Sequence, residues 1–551
     1  MGNILVVLSL IAGLAIPGIA HAEASDSFVS APTIAINSYN AFSTTGSNPE
    51  FGEPWVTGYG SMWFRYVAPS RGIVRLNTTS IYYTYFQIFR GPRIDKLNLV
   101  EQGISKNSGT VTFPAETGME FLIAVSTDYP SAEEVSFSIL QDPWPYGADA
   151  VVAPAMPTSQ SPPDDLFGSG NSIIPSSTSP VTVLAYNRSA SSFYDGWDFT
   201  TPEPTTTGYH TLWYRWTAPS TGIANISTPA SPVLSFEHVL SVFRGDGFRS
   251  LNVVKVGDDH IESSTSHGPV SLSFPVVKGL EYRICFGSRS KESGPVIFTI
   301  RTDAWPYGPG TVVAPQMPTA NTPPNDQFEG ATKLPSKPGE KFVIVDYSGS
   351  DTWDDPEGLW YQWTAQESAY VSFQTPAKPV LGYDHRLSSW SGSFSENLKL
   401  VDGSGTLGIY LGPPKTPGFA RIGFFATKGR TYHLSFSTVG YNPWDPVIIS
   451  YESGPQVNTT APKVTFSTLG QTDLVFWKKF YVGLVVGTDP EGISAVQLKV
   501  NGKLAYNKPY SSRWFSVSAG PVKTGKVVLE ARARDRFGRW GPYTKRVVMA
   551  Q

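Results

Sequence analysis

Cysteine is nearly absent from this chain, since Cys285 is its only copy in 551 residues. A single cysteine excludes an internal disulfide, so the stability of the folded chain has to come from packing. Tyr282-Arg-Ile-Cys285-Phe alternates as a β-strand does, and we expect Cys285 to be a small buried side chain rather than a reactive nucleophile.

Charge is also scarce, because only 16% of the residues are charged and the net charge is -3. Such a chain has no basic field for nucleic acid, so we expect no nucleic-acid partner. Helical periodicity is lacking too, since no stretch of about 12 residues repeats its apolar positions every 3.6 residues. Instead, 51 glycines, 46 prolines and 13% aromatic residues favour many short strands joined by turns.

Only one apolar run is long, and it occupies residues 4–20. Ala20-His21-Ala22 follows it and resembles a secretory cleavage site, which predicts a signal peptide over residues 1–22. A membrane anchor is the alternative, because Met1-Gly2-Asn3 contains no lysine or arginine. We expect an exported mature chain without a transmembrane helix, extracellular or at the cell surface, with the periplasm as the other possible location.

One phrase of ten residues occurs three times, and we call it the signature strand. Its second copy is Trp213-Tyr-Arg-Trp216-Thr-Ala-Pro219-Ser-Thr-Gly222, and the other copies begin at Trp63 and Trp360. These tryptophans are separated by 150 and 147 residues, which is the length of a domain rather than of a short solenoid repeat. The chain is therefore expected to contain three related modules in tandem.

Strand alternation assigns two faces to the signature strand. The core face receives nine apolar or aromatic side chains, namely Met62, Phe64, Tyr66, Leu212, Tyr214, Trp216, Leu359, Tyr361 and Trp363. The other face carries the opening tryptophan together with Arg65, Arg215 or Gln362, and we expect it to be at least partly solvated.

Proline- and aromatic-rich segments separate the modules. Asp142-Pro-Trp144-Pro-Tyr146-Gly147 recurs as Asp303-Ala-Trp305-Pro-Tyr307-Gly308, and each is followed by a Val-Val-Ala-Pro run. This composition favours extended, semi-rigid linkers. Trp144 and Trp305 either close the core of the preceding module or form an exposed aromatic platform for a ligand.

The last part of the chain has a different pattern. Val496, Leu498 and Val500 alternate before Asn501-Gly502, a strong hairpin signal, and the segment fits a small immunoglobulin-like sandwich without a disulfide. Alternation also places three arginines, Arg532, Arg534 and Arg536, on one strand face. That face is either simply solvated or contacts an anionic polymer.

The predicted fold class is all-β, with four β-sandwich domains in tandem. The expected boundaries are 23–147, 164–308 and 325–452 for the related sandwiches, 148–163 and 309–324 for the Pro-rich linkers, and 460–551 for the last domain.

The recurring phrases resemble pre-peptidase C-terminal-like repeats of secreted bacterial proteins. Gly52-Glu53-Pro54, the signature strands and Pro324-Asn-Asp326-Gln-Phe328 carry this resemblance over about residues 25–452. The C-terminal segment resembles bacterial immunoglobulin-like domains through Asp489-Pro-Glu-Gly492 and Val500-Asn501-Gly502. The resemblance implies jelly-roll-like sandwiches that act as non-catalytic accessory modules, attached to enzymes or joined into adhesin-like surface proteins.

Candidate metal and catalytic residues are few. Asp258 and Asp259 form a paired-acid turn, but Ca²⁺ takes six to eight oxygen ligands, so we expect no cofactor and keep calcium there as a weak alternative. The sequence has no metal-binding His pair, nucleophile elbow or phosphate-binding glycine loop. We expect no enzyme, with a hydrolase as the outside alternative.

A tryptophan lies in the loop before each signature strand, at Trp55, Trp197 and Trp353. Loop aromatics on a rigid sandwich can hold a sugar face or a peptide, or they can plug the end of their own core. The leading hypothesis is a non-catalytic binding or adhesion protein that contacts polysaccharide, matrix or envelope components. The second is a structural spacer or envelope component without a specific ligand.

Overall fold

The computed structural model describes most of the chain after Ala24. The described residues are 24–54, 58–78, 80–105, 109–130, 134–147, 149–167, 173–191, 207–229, 234, 236–258, 269–347, 358–376, 385–405, 420–438, 446–453, 462–466, 480–486, 493–509, 514–519, 523–535 and 539–550. The chain divides into two compact units, Met1–Pro306 with Met317–Asn321, and Tyr307–Gln316 with Thr322–Gln551.

The described residues confirm an all-β protein, whose helical segments are five single 3-10 turns at Phe28–Ser30, Ile94–Lys96, Phe248–Ser250, Phe328–Gly330 and Ser395–Asn397. The first sandwich contains nine strands: β1 (Thr33–Ile34), β2 (Ser38–Phe42), β3 (Tyr59–Val67), β4 (Gly72–Thr78), β5 (Thr84–Arg90), β6 (Asn98–Ser105), β7 (Gly109–Ala115), β8 (Glu120–Thr127) and β9 (Val135–Pro143). Its signature sheet, which contains the signature strand, has the order β1-β3-β8-β5-β6, and its facing sheet has the order β2-β9-β4-β7.

The second sandwich has ten strands: β10 (Ala150–Val152), β11 (Ile173–Ile174), β12 (Val181–Tyr186), β13 (Tyr209–Thr217), β14 (Gly222–Ser227), β15 (His238–Arg244), β16 (Asn252–Asp258), β17 (Ser271–Val276), β18 (Glu281–Ser288) and β19 (Pro295–Ala304). Its signature sheet is β11-β13-β18-β15-β16 and its facing sheet is β10-β12-β19-β14-β17. The signature sheet thus repeats the strand order of the first sandwich.

The third sandwich repeats both orders of the second. Its strands are β20 (Thr311–Val313), β21 (Thr332–Lys333), β22 (Phe342–Tyr347), β23 (Leu359–Thr364), β24 (Ala369–Gln374), β25 (His385–Ser391), β26 (Lys399–Gly405), β27 (Arg421–Ala426), β28 (Thr431–Thr438) and β29 (Pro446–Ser453). They form the sheets β21-β23-β28-β25-β26 and β20-β22-β29-β24-β27.

The last sandwich is smaller and has another topology. Its strands are β30 (Val464–Phe466), β31 (Phe480–Val486), β32 (Ile493–Val500), β33 (Lys503–Pro509), β34 (Trp514–Ala519), β35 (Gly525–Asp535) and β36 (Thr544–Ala550). Its two sheets are β30-β31-β34 and β33-β32-β35-β36. Side chains of both sheets, among them Leu484 and Leu529, meet in one apolar core.

The core face of the signature strand was predicted correctly, because all nine expected side chains are buried. In each repeat an aromatic ring of this strand packs across the sandwich against a ring of the facing sheet. The ring centroids lie 5.2 Å apart for Phe64 and Phe137, 5.4 Å for Tyr214 and Phe298, and 5.3 Å for Trp363 and Tyr451. Such pairs add about 0.5–1.5 kcal/mol to the stabilisation that comes from burial.

The opposite face of the strand is partly solvated, as we expected, but its tryptophans are covered. Arg65, Arg215 and Gln362 are partly exposed, but Trp63 and Trp213 are fully buried. The cover comes from an Asp-x-Phe phrase that opens each module, with the copies Asp26-Ser-Phe28, Asp165-Leu-Phe167 and Asp326-Gln-Phe328. The phenylalanine of this opening phrase packs edge-to-face on the tryptophan. The centroid distances are 5.5 Å for Phe28–Trp63, 5.2 Å for Phe167–Trp213 and 5.4 Å for Phe328–Trp360. A small second core, which we call the outer cluster, therefore lies outside the signature sheet.

In the first sandwich the Gly52-Glu53-Pro54 loop holds the outer cluster in place. Glu53 accepts hydrogen bonds from the indole Nε1 of Trp63, at 3.2 Å, and from the hydroxyl of Ser61. Burial raises the pKa of Glu53, and these hydrogen bonds oppose the increase. The Gly-Glu-Pro phrase thus supplies an acceptor for a buried indole N–H.

The segments assigned to linkers also contribute strands. Ala150–Val152 pairs in parallel with Val181–Val183, and Thr311–Val313 pairs in parallel with Phe342–Ile344. Each Val-Val run is therefore an edge strand of the sandwich that follows it, although the sequence places it in a separate linker. A hydrogen-bonding partner for this run lies some thirty residues further along the chain, which local composition does not indicate.

Two side chains of the preceding sandwich hold the rest of each linker. Arg90 donates to the carbonyl of Pro154 at 3.0 Å, and Asn98 donates to that of Gln160 at 2.7 Å. In the second sandwich Asn252 donates to the carbonyl of Ala320 at 2.8 Å, and Arg244 contacts the sulfur of Met317 at 3.7 Å. In the third sandwich, Ser391 and Lys399 occupy the paired positions that hold Arg90 and Asn98 in the first. Both side chains that bind a linker are therefore replaced where no linker of this kind follows.

The outer cluster generates a stability prediction. Trp63→Ala removes a fully buried ring and leaves Glu53 without its indole partner, so we expect a loss of about 3–5 kcal/mol in the stability of the first sandwich. Hydrogen exchange of peptides from β3 and β8, read by mass spectrometry, measures this loss locally. Tyr39→Ala, at a half-exposed ring on the facing sheet, is the matched control and should change the same protection by less than about 0.5 kcal/mol.

His433 predicts a pH dependence in the third sandwich. Its ring centroid lies 4.4 Å from that of Phe328, and Nδ1 has no hydrogen-bond partner among the described residues. Burial lowers the pKa of His433 below 6.5, so the unfolded chain binds a proton more readily than the folded one. The stability that the neutral ring contributes to the folded state is therefore fully present above pH 6.5, and it is lost as the pH falls through 6.5 towards the lower folded pKa.

His433→Gln should flatten this slope, measured as hydrogen-exchange protection of β28 at several pH values. An unchanged slope would assign the pH dependence to other groups.

Candidate functional site

The aromatic residues predicted to bind a ligand are only partly within the described chain. Trp55, Trp197 and Trp353 lie outside the described residues. Trp144 is half-buried and packs against the core of the first sandwich, with its ring 5.0 Å from that of Tyr146. This placement favours the interpretation in which Trp144 closes the core. Trp305 is half-buried at the corresponding position of the second sandwich.

The paired-acid turn lies mostly outside the described residues. Asp258 ends β16, and Asp259 lies outside the described part of the chain. Elsewhere among the described side chains, no three His, Cys, Asp or Glu residues come together in a way that could hold a metal ion.

Two of the histidines occupy equivalent buried positions. The Nε2 atom of His238 lies 2.8 Å from Thr228 Oγ1, and that of His385 lies 2.6 Å from Thr375 Oγ1. Each pair connects the end of a facing-sheet strand to the start of a signature-sheet strand, which is a structural role. Both modules carry a threonine ten residues before the histidine, and this shared spacing is the signal in the sequence that could have indicated the pair. Cys285 is fully buried, as we predicted.

An open cavity of about 340 Å³ lies against β5 and β6 of the first sandwich. Its walls combine the ring of Tyr85, two amides, an aliphatic side chain and a guanidinium. Its lining residues are Tyr85, Phe86, Gln87, Gln102, Gly103, Ile104 and Arg188, of which Phe86 is fully buried towards the core. Tyr85 is half-buried, Gln102 is exposed, and Ile104 is 64% exposed. Sequence reasoning missed this site because the side chains come from one face of two paired strands and from a turn some ninety residues away.

The second sandwich supplies the cationic wall of the cavity. Arg188 forms an ion pair with Glu101, and both side chains are less than one-fifth exposed. Burial raises the pKa of Glu101, while the neighbouring Arg188 charge acts in the opposite direction. The turn that carries Arg188 is held by Asn187, whose side chain accepts from the N–H of Gly294 at 2.8 Å. The guanidinium is thus held at the cavity with its charge balanced.

The joint between the first two sandwiches fixes the cavity wall further. Leu184, Tyr186 and Ile297 of the second sandwich are buried in the core of the first. The Tyr186 hydroxyl donates to the carbonyl of Pro114 at 2.7 Å, and burial raises the pKa of that hydroxyl. The Ser189 hydroxyl accepts from the backbone N–H of Leu99 at 3.1 Å.

Exposed tyrosines lie at one end of the signature sheet. Tyr59, Tyr83 and Tyr129 are each about half-exposed there and do not line the cavity. The cavity itself combines the ring of Tyr85 with polar side chains, an arrangement that can bind a ligand carrying both hydroxyl groups and C–H faces. The arrangement contains donors, acceptors and rings, and among these lining residues there is no nucleophile with an adjacent base.

In the part of the chain that the structure describes, no helix has the length and apolarity needed to span a membrane.

No family model matches the chain, and no curated protein matches it. Among solved structures, the chain is similar to the fibronectin(III)-like modules of CbhA from Clostridium thermocellum, at 11% identity over 16% of this chain and 97% of that one, with a TM-score of 0.14. The Endo-D glycoside hydrolase domain from Streptococcus pneumoniae R6 matches at 12% identity, over 35% of this chain and 30% of that one, with a TM-score of 0.17. The PBSX exported protein XepA matches at 9% identity, over 42% of this chain and 76% of that one, with a TM-score of 0.13. These distant similarities assign no activity to the chain.

Proposed function

We propose that the chain is an exported, non-catalytic binding protein whose β-sandwiches contact polysaccharide. The observation that supports this best is the cavity of the first sandwich, where Tyr85 stands beside the amides of Gln87 and Gln102. A ring can stack on the C–H face of a sugar while amides bond its hydroxyl groups. The volume of about 340 Å³ lies at the small end of the range for ligand sites, which suits one end or one short segment of a glycan.

The charge balance of the cavity favours a neutral glycan. Glu101 pairs with Arg188, so the guanidinium offers N–H donors to hydroxyl groups without a net positive charge that an acidic sugar would need. The recurring phrases support the assignment of the first three sandwiches to jelly-roll-like pre-peptidase C-terminal-like repeats. The last sandwich fits a bacterial immunoglobulin-like domain, and Trp55, Trp197 and Trp353 are kept as additional binding residues.

A structural spacer is the second candidate, and one observation favours it. The first two sandwiches are joined by a buried apolar contact, a clamped linker and the Glu101–Arg188 pair. Such a joint holds two domains as one semi-rigid body, which a spacer requires and a binding protein does not.

Binding to immobilised neutral glucan and chitin oligosaccharides and to matrix proteins discriminates between the two candidates. We expect a neutral oligosaccharide to bind, and Tyr85→Ala to weaken its affinity about tenfold, equivalent to about 1.4 kcal/mol. Gln102→Ala, at an exposed side chain, should also weaken binding without changing the stability of the sandwich.

Tyr39→Ala is the matched control, because Tyr39 belongs to the facing sheet and does not line the cavity. Absence of binding to every glycan and matrix protein would leave the spacer as the function. If Tyr85→Ala, Gln102→Ala and Tyr39→Ala all retain binding, the binding site would lie at the loop tryptophans instead. The variants Trp55→Ala, Trp197→Ala and Trp353→Ala then test that position.

A further inference from the structure

The outer face of the four-stranded sheet in the last sandwich carries a row of alternating cations and aromatic rings. The Arg532 guanidinium lies 4.4 Å from the ring centroids of both Trp540 and Tyr543. Arg534 lies 5.4 Å from Trp540 on one side, and the Lys499 ammonium lies 4.5 Å from Tyr543 on the other. We call these five side chains the cation–ring row.

The strand pattern explains why the row forms on one face. Along β35 the alternate residues Val527, Leu529, Ala531 and Ala533 are buried in the core. The intervening side chains, Arg532 and Arg534 among them, therefore point to the outer face, as strand alternation predicts. Gln497 and Lys499 of β32 lie opposite Arg532 and Glu530 in the register and share this face.

The aromatic side of the row is held by the backbone. Trp540 pairs with Arg534 in an antiparallel bridge, and the N–H of Gly541 donates to the carbonyl of Ala533 at 2.8 Å. A Cβ at Gly541 would lie 1.9 Å from the carbonyl oxygen of Pro462, so only glycine permits this approach. Asp535 is fully buried and accepts from Arg539, which secures the same turn.

Hydrogen bonds hold the guanidinium groups of Arg532 and Arg534 through their Nε atoms. Arg532 donates from Nε to Gln497 Oε1 at 2.8 Å, and the Tyr543 hydroxyl donates to the same oxygen at 3.3 Å. Arg534 donates from Nε to Ser494 Oγ at 3.2 Å. Within the described residues, the terminal amino groups of Arg532 and Arg534 have no hydrogen-bond or ion-pair partner.

An arginine with a purely structural role would be expected to donate its terminal N–H groups to acceptors within the protein. Here the two rings and the amide of Gln497 orient the guanidinium of Arg532, and its terminal N–H groups remain available to a ligand. A planar guanidinium held in this way matches a carboxylate with two parallel hydrogen bonds. Preorganisation also reduces the conformational entropy that binding would cost.

Of the neighbouring charges, Lys526 adds to the attraction for an anion, since it lies on the same face of the sheet. Lys545 also lies on this face, but its charge is balanced by Glu530, which pairs with it at 3.0 Å and lies opposite Lys499 in the register. Arg532 and Arg534 are two residues apart on a strand, which separates their Cα atoms by about 6.5–7 Å. A polymer with an acidic group on each sugar can therefore engage several cations of the row at once.

We propose that the cation–ring row binds an acidic polysaccharide through the carboxylate groups of its sugars. Nucleic acid fits less well, because proteins that bind duplex DNA typically neutralise six to ten phosphates, whereas the row has three cations and the whole chain is net negative. This site goes beyond the proposed function, since it lies in a different sandwich from the cavity and selects an acidic rather than a neutral ligand.

The test is calorimetric titration of the full mature chain with an oligogalacturonate, a neutral glucan oligosaccharide of equal length, and a single-stranded DNA oligonucleotide of equal charge. We expect the oligogalacturonate to bind, its affinity to fall with added salt, and Arg532→Gln to weaken it at least tenfold. Arg532→Lys keeps the charge but loses the planar fork, so it should also weaken binding, by a smaller factor.

Lys499→Gln is the second test variant, because its partly exposed side chain has no hydrogen bond that the fold needs. Lys503→Gln, which removes an exposed lysine at the nearby turn, is the matched control and should bind as the unchanged chain does. The proposal is overturned if the oligogalacturonate binds no better than the neutral glucan, or if Arg532→Gln and Lys499→Gln both bind normally. Tighter binding of the oligonucleotide would also overturn it, in favour of nucleic acid. Because this assay uses an acidic ligand and residues of the last sandwich, it fails independently of the neutral-glycan experiment.

Discussion

The signature strand packs aromatic side chains on both of its faces, and this constraint organises each of the repeated sandwiches. One face packs across the sandwich, as Phe64 does on Phe137, and so holds the two sheets together. The other face carries a tryptophan that needs a cover, and the phenylalanine of the opening phrase supplies it. Because the cover precedes the strand in the sequence, each module begins with the residues that complete its second core. The Asp-x-Phe opening and the signature strand thus form one unit of packing.

The same arrangement leaves the cavity at the edge of the signature sheet uncovered by the outer cluster. The outer cluster occupies the part of the sheet near Trp63, and the cavity lies at the edge formed by β5 and β6. Arg188 reaches this edge only because the second sandwich is seated against the first. Packing that stabilises the joint between two domains therefore also builds one wall of the cavity.

Much of the fold could be predicted from the sequence, since period-two alternation depends on neighbouring residues alone. The all-β class, the core face of the signature strand and the buried Cys285 are examples. The partners of Ala150–Val152 and the cover of Trp63 depend on pairing between distant segments, which local patterns do not contain. The cavity escaped notice for the same reason, as Tyr85 and Arg188 are neighbours only in the folded chain. Strand alternation correctly placed Arg532 and Arg534 on one face. The rings that orient them come after a turn, so alternation along the strand could not predict where those rings lie.

The parallel edge strands have a consequence for dissecting the protein into fragments. A second sandwich cut at the boundary that the sequence suggests, near residue 164, would lack Ala150–Val152 and expose the backbone N–H and C=O groups of Val181–Val183. Unpaired sheet edges of this kind recruit other strands and promote aggregation. A fragment that begins at about residue 149 keeps its own edge closed, so a soluble second sandwich has to include residues that the sequence assigns to the linker.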